Sequence, residues 1–158
     1  VDGRLAHAVV FDPVRQEEFT ASRGRGAQLN GHRLRVSNRT DLRECLLGTG
    51  IPFLGHEQQL LPQYTQTLAE LAAQCMGIRR AGAAALDLAY VAAGRFDGFW
   101  ETGLERWDIA AGALIIKEAG GLISDLSGSE RYLDNGQVVC GNPKIFKQLL
   151  STVPPVLR

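Results

Sequence analysis

From Cys45 onward, short apolar runs alternate with segments of helical spacing, and that alternation limits the folds open to this chain. Residues 45–50 form an apolar run closed by a glycine, as a buried strand does. Over 57–75, Leu60, Leu61, Tyr64, Leu68, Leu71 and Ala72 recur at helical spacing. Residues 78–81 read as the next strand. A helix over 83–93 carries Leu86, Tyr90 and Ala93 on one stripe, with Gly94 as its C-cap. A strand over 96–101, a helix over 107–119 and strands over 121–125 and 138–141 follow. Asn142-Pro143 then supplies an N-cap and a first-turn proline for a last helix reaching about residue 150. This order predicts an α/β layer with a mixed sheet and flanking helices.

The first 36 residues follow a different rule. Residues 5–11 read as a buried strand, Asp12-Pro13 as a turn, and 18–22 as a second strand with Phe19 and Ala21 on one face. Gly24-Arg25-Gly26 reads as a β-turn, 27–29 as a third strand, and Asn30-Gly31 as a hairpin turn into a strand over 33–36. Asp2-Gly3 is itself a hairpin signal with one residue before it, so a partner strand is expected upstream. The expected organisation is a remnant of an antiparallel domain over 1–40, a C-terminal α/β domain over 41–152, and a disordered tail over 153–158 containing Pro154-Pro155.

Composition excludes several functions. Seventeen basic side chains balance seventeen acidic ones among 158 residues, which argues against a broad cationic face for nucleic acid. No apolar run approaches the ~20 residues of a membrane span, and no leader is evident. Cys45, Cys75 and Cys140 are odd in number and far apart, which predicts reduced thiols in a cytoplasmic protein rather than disulfides or zinc ligands.

The stretch from Glu101 to Gly121 carries most of the chemical information. A strand ends near Glu101, and a helix opens at Trp107-Asp108. This places Asp108 in the first turn, where the helix dipole favours negative charge. Asp108 is either a simple helix-terminal carboxylate or a metal ligand at the edge where open α/β sheets bind their ligands, with Glu101 on the same rim. Ala110, Ala111, Gly112 and Ala113 keep the helix slender for a close neighbour. A second rim element is Arg79-Arg80-Ala81-Gly82-Ala83-Ala84, where free N–H groups could hold an oxyanion and Arg79 could neutralise it. Asp87 reads as a mid-helix structural partner for Arg79, Arg80 or a backbone group. His7, His32 and His56 are isolated, and no serine sits in a G-x-S-x-G context.

The run W-D-I-A-A-G-A-L-I-I-K-E-A-G-G (107–121) closely resembles the C-terminal signature of the inositol monophosphatase family. F-D-P-V-R-Q-E-E-F-T-A-S-R-G-R-G-A-Q-L-N-G (11–31) and R-R-A-G-A-A-A-L-D-L-A-Y-V-A-A-G-R (79–95) are similar to it as well, most of all to its bacterial inositol-1-monophosphatase branch. The resemblance implies a layered αβαβα fold and Mg²⁺-dependent hydrolysis of a phosphate monoester, inhibited by lithium. It implies that Asp108 ligates a second Mg²⁺, that Glu101 contacts substrate hydroxyls, and that Arg79, Gly82, Ala83 and Ala84 line the substrate pocket. Many members carry Ser or Thr where this chain has Ala83, which removes one hydroxyl contact.

The family also carries a Glu and a D-P-[IL]-D-G-T loop that hold the first metal and activate water. Neither occurs here, which agrees with the half-hairpin at Asp2-Gly3 and implies a C-terminal fragment inactive by itself. The resemblance extends to a homodimeric parent acting on inositol phosphate. Alternative substrates are histidinol phosphate, fructose 1,6-bisphosphate and 3′-phosphoadenosine nucleotides. A non-catalytic interaction module is the reading from another class. The bare strand over 5–11 predicts poor solubility.

Overall fold

The computed structural model describes residues 3–52 and 58–153. Val1, Asp2, His56, the first residue of the helix expected over 57–75, and the Pro154-Pro155 tail lie outside the described residues.

The N-terminal strands form an antiparallel sheet in chain order: β1 (His7–Asp12), β2 (Glu17–Ser22), β3 (Gly26–Leu29) and β4 (His32–Arg33). Strand alternation sets its two faces. In β1, Ala8 and Val10 face inward while Val9 and Phe11 face out. Asn30 and Gly31 both adopt positive φ, 48° and 80°, as a two-residue hairpin turn requires. The strand expected over 33–36 ends at Arg33. Leu34 N–H still donates to Ala27, but Val36 N–H donates to the Ala119 carbonyl at 3.2 Å, because the chain turns away toward a helix end.

The second sheet holds β5 (Leu46–Thr49), β6 (Gly77–Arg79), β7 (Gly98–Glu101), β8 (Leu122–Ser124) and β9 (Val138–Gly141) in the order β6-β5-β7-β9-β8. Strands β6 and β7 pair parallel with β5, and β9 runs antiparallel to both β7 and β8. Helices α1 (Leu61–Ala72), α2 (Ala84–Ala92), α3 (Arg106–Glu118), α4 (Tyr132–Asn135) and α5 (Pro143–Thr152) complete the fold.

Helices α2 and α3 lie between the sheets. Their Leu88, Val91, Ile109 and Ile116 share one core with Phe19 and Ala21 of the first sheet and Phe99 and Val138 of the second. Helices α1 and α5 cover the other face, packing Leu71, Ile145 and Leu149 against Leu47, Trp100 and Val139. The result is an α/β fold with an antiparallel sheet, a mixed sheet and flanking helices. The slender side of α3 serves helix packing, since a Cβ on Gly112 would come within 2.5 Å of the Leu88 Cβ on α2. From the far end of α3, Glu118 accepts hydrogen bonds from Gly24 N–H at 2.7 Å and Gly26 N–H at 2.8 Å, pinning the turn between β2 and β3.

Two elements escape the periodicity. Residues 42–44 make a 3₁₀ turn capped by Asp41, and α4 is a single helical turn. Just before α4, the Asp125 carboxylate receives hydrogen bonds from the N–H and hydroxyl groups of Ser127 and Ser129 and from the Asn135 amide. Side-chain bonding, rather than an apolar stripe, shapes that segment.

Candidate active site

Strands β5, β6 and β7 run parallel, so their carboxyl ends share one edge of the second sheet. The chain leaves β5 through α1 on one face and β6 through α2 on the other. Departure to opposite faces opens a crevice at that edge, the place where open α/β sheets bind ligands. A cavity of about 260 Å³ lies there, and Arg80, Gly82, Ala83, Ala84, Glu101 and Asp108 line it.

Asp108 sits in the first turn of α3, half-buried, with its Oδ2 accepting the Glu105 N–H at 3.0 Å. It is not packed into the interior, and among the described residues no arginine forms an ion pair with it. Glu101 closes β7 beside it. Burial pushes the Glu101 carboxyl up to about 7; Asp87 and Asp108 push the same way, and Arg80 opposes them.

Asp87 is not mid-helix but in the first turn of α2, and it is 1% exposed. Its Oδ1 has no hydrogen-bond partner among the described residues. Burial raises its carboxyl to about 6, against the opposing pull of the Ala83 backbone and the Arg80 charge. Arg80 is thus an electrostatic neighbour, as the sequence suggested, but the buried oxygen was not legible there. Sandwiching α2 between two sheets is what buries it.

The second rim element departs from expectation by one residue. Arg79 ends β6 with its Nη1 donating to the Ile78 carbonyl at 3.0 Å, and it is absent from the cavity lining. Arg80, the next residue, faces the cavity instead. Neighbouring residues of an extended chain point to opposite sides, so a one-residue shift exchanges the two guanidiniums. Gly82, Ala83 and Ala84 do line the cavity. Gly82 holds φ at +90°, and Ala83 stands at the N-cap of α2 with no side-chain cap hydrogen bond, so the positive end of the helix faces the cavity.

Asp108 suits a Mg²⁺ ion that takes one or two protein carboxylates with waters and phosphate. No set of three His, Cys, Asp or Glu side chains converges into a metal cage among the described residues. Two carboxylates, Glu101 and Asp108, line the polar cavity among the described residues. No helix is long and apolar enough to cross a membrane among those residues.

Known proteins are similar to this chain in sequence and in fold. The sequence pattern described as the inositol monophosphatase family matches residues 1–156. A Pseudomonas aeruginosa protein named Nus factor SuhB is 63% identical over 98% of the chain, which spans 57% of that relative's length. The crystal structure of extragenic suppressor protein suhB from Bartonella henselae superposes with a TM-score of 0.92 at 42% identity, covering 98% of this chain and 59% of that one. Inositol monophosphatase from Anabaena superposes with a TM-score of 0.84 at 35% identity, covering 94% and 59%. The chain thus spans just under three fifths of the relatives it matches. With its α/β layers, its strand-edge cavity and a family pattern that runs nearly end to end, this chain belongs to the inositol monophosphatase family.

Proposed function

We propose that this chain is the substrate-side portion of a phosphate monoesterase that cleaves inositol monophosphate to inositol and phosphate. The observation that carries the reading is the joint presence of Asp108 and Glu101 on one polar cavity at the strand edge. Asp108 would hold a divalent cation, Mg²⁺ being the family's ion, which supplies positive charge for phosphoryl oxygens. The α2 N-terminus and Arg80 add further positive potential to the same cavity. Glu101, half-buried at its edge, can accept hydrogen bonds from hydroxyl groups when ionised and donate one when protonated. That dual capacity suits a polyol better than a nucleobase. Lithium inhibition and a homodimeric protein belong to the same proposal.

A two-metal displacement needs bridging ligands beyond a single aspartate. The chain spans 57% of its curated relatives' length, so the complete reaction is assigned to a longer protein carrying this segment. The 158-residue chain alone is expected to be inactive. Rates on inositol 1-phosphate, histidinol phosphate, fructose 1,6-bisphosphate and a 3′-phosphoadenosine nucleotide, measured with the full-length protein, test the substrate. Inositol 1-phosphate should lead the panel, and preference for another member would replace the assignment.

A second reading rests on the name Nus factor SuhB carried by a relative 63% identical to this chain. It assigns a role in transcription alongside or instead of hydrolysis. If that role is independent of chemistry, a full-length D108N protein keeps it while losing turnover.

A further inference from the structure

The end of β5 and the residue after it read G-T-G at 48–50, with two glycines two residues apart and therefore on one side of the extended chain. Glycine inside a strand marks a place where another group comes close to the backbone. Phe99 pairs with Gly48, and Trp100 with Thr49, so Glu101 is the next residue in register beside Gly50. At both glycines side chains from β7, or from just before it, lie over the bare backbone. A Cβ on Gly48 would meet Phe96 at 2.9 Å and Phe99 at 3.1 Å. A Cβ on Gly50 would fall 1.7 Å from the Glu101 Oε1, 1.9 Å from its Cδ and 2.5 Å from its Cγ.

We infer that Gly50 is the positioning residue for Glu101: its missing side chain is the slot in which the Glu101 carboxyl lies beside the cavity. The inference rests on the reading of Glu101 as the hydroxyl-contacting group and deepens it, making Gly50 a determinant of preference for hydroxyl-bearing substrates. The two glycines do different work because their neighbours differ. Aromatic rings packed in the core over Gly48 cannot retreat, whereas Glu101 is the flexible end of a half-buried side chain. A methyl group at position 50 is therefore expected to spare the fold and displace the carboxyl by about 1.5 Å, the overlap that van der Waals contact forbids. A misplacement of about 1 Å can cost up to ~10²-fold in rate.

The test uses the full-length protein and its G50A, E101A and G50A/E101A variants. For each, kcat/KM is compared between inositol 1-phosphate and an aryl phosphate without hydroxyls. The expected result is a roughly tenfold or larger fall in the ratio for Gly50→Ala, matching Glu101→Ala, with no further fall in the double variant. A ratio that falls for Glu101→Ala but not for Gly50→Ala, or that falls additively in the double variant, overturns the inference and leaves the proposed function standing. A ratio unmoved by Glu101→Ala overturns the polyol reading instead. The slot is then read from the ¹³C resonance of the Glu101 carboxyl, which must shift in the Gly50→Ala protein; an unmoved resonance refutes it. If Gly50→Ala alone lowers Tm, removing Glu101 in the double variant must restore it. A double variant as unstable as the single one overturns the inference.

Discussion

Glu105 donates its backbone N–H to the Asp108 carboxylate at 3.0 Å, closing the first turn of α3 with the acid proposed to hold the cation. Asp108 therefore has two separable roles, a capping acceptor and a charge beside the cavity. Asn keeps an acceptor oxygen while Ala does not, so D108N should preserve stability and D108A should cost about 1 kcal/mol. Urea unfolding of both variants measures this. Equal destabilisation by the two would deny the capping role.

The buried carboxyls make stability depend on pH. Glu101 and Asp87 are raised to about 7 and about 6, above the values of an unfolded chain, near 4.3 and 3.9. The folded state therefore binds more protons between those limits, so stability present at low pH is lost as pH rises through the folded values. Without metal ions, Tm should fall from pH 5 to pH 8, and the E101Q and D87N proteins should show a flatter profile. A wild-type Tm that is constant or rising over that interval, with no change in either variant, would contradict the assignment.

Asp125 gathers five donors from Ser127, Ser129 and Asn135, and these hydrogen bonds hold its carboxyl below the usual range against the effect of burial. Asp125→Ala leaves those donors unmatched in a part-buried site and should cost about 2–4 kcal/mol. Equilibrium denaturation with an unchanged m-value reads that loss directly; a cost below 1 kcal/mol would show the network to be dispensable.

On the outer face of the first sheet, Val9 is 61% exposed and Phe11 55%, both on the edge strand β1. An apolar edge strand invites pairing with other chains. The 158-residue chain expressed alone should self-associate, and the V9K/F11T variant should be more monomeric by light scattering. A wild-type chain that stays monomeric at high concentration would refute this.

The legible parts of the site were those written as local pattern. Asp108 follows from a helix start and Glu101 from a strand end, and the 107–121 run adds a long and specific signature. The sequence pattern points to Arg79 where the structure places Arg80 on the cavity, because alternation along an extended chain depends on a register that single-residue boundaries do not set. Asp87 was hidden for a different reason. Its burial arises only when α2 lies between two sheets, although the alanines around it are a faint sign of close packing. The G-T-G spacing at 48–50 was visible as letters, but which side chain fills each gap depends on the β5–β7 register. Segment 125–135 has no periodicity to read, since the Asp125 hydrogen bonds organise it.

The most direct test of the account is Mg²⁺-dependent release of phosphate from inositol 1-phosphate by the full-length protein and its D108N variant. The account predicts turnover that requires Mg²⁺ in the wild type and a fall of at least ~10²-fold in a D108N protein of unchanged Tm. Turnover by D108N at the wild-type rate and with the wild-type Mg²⁺ requirement would contradict it.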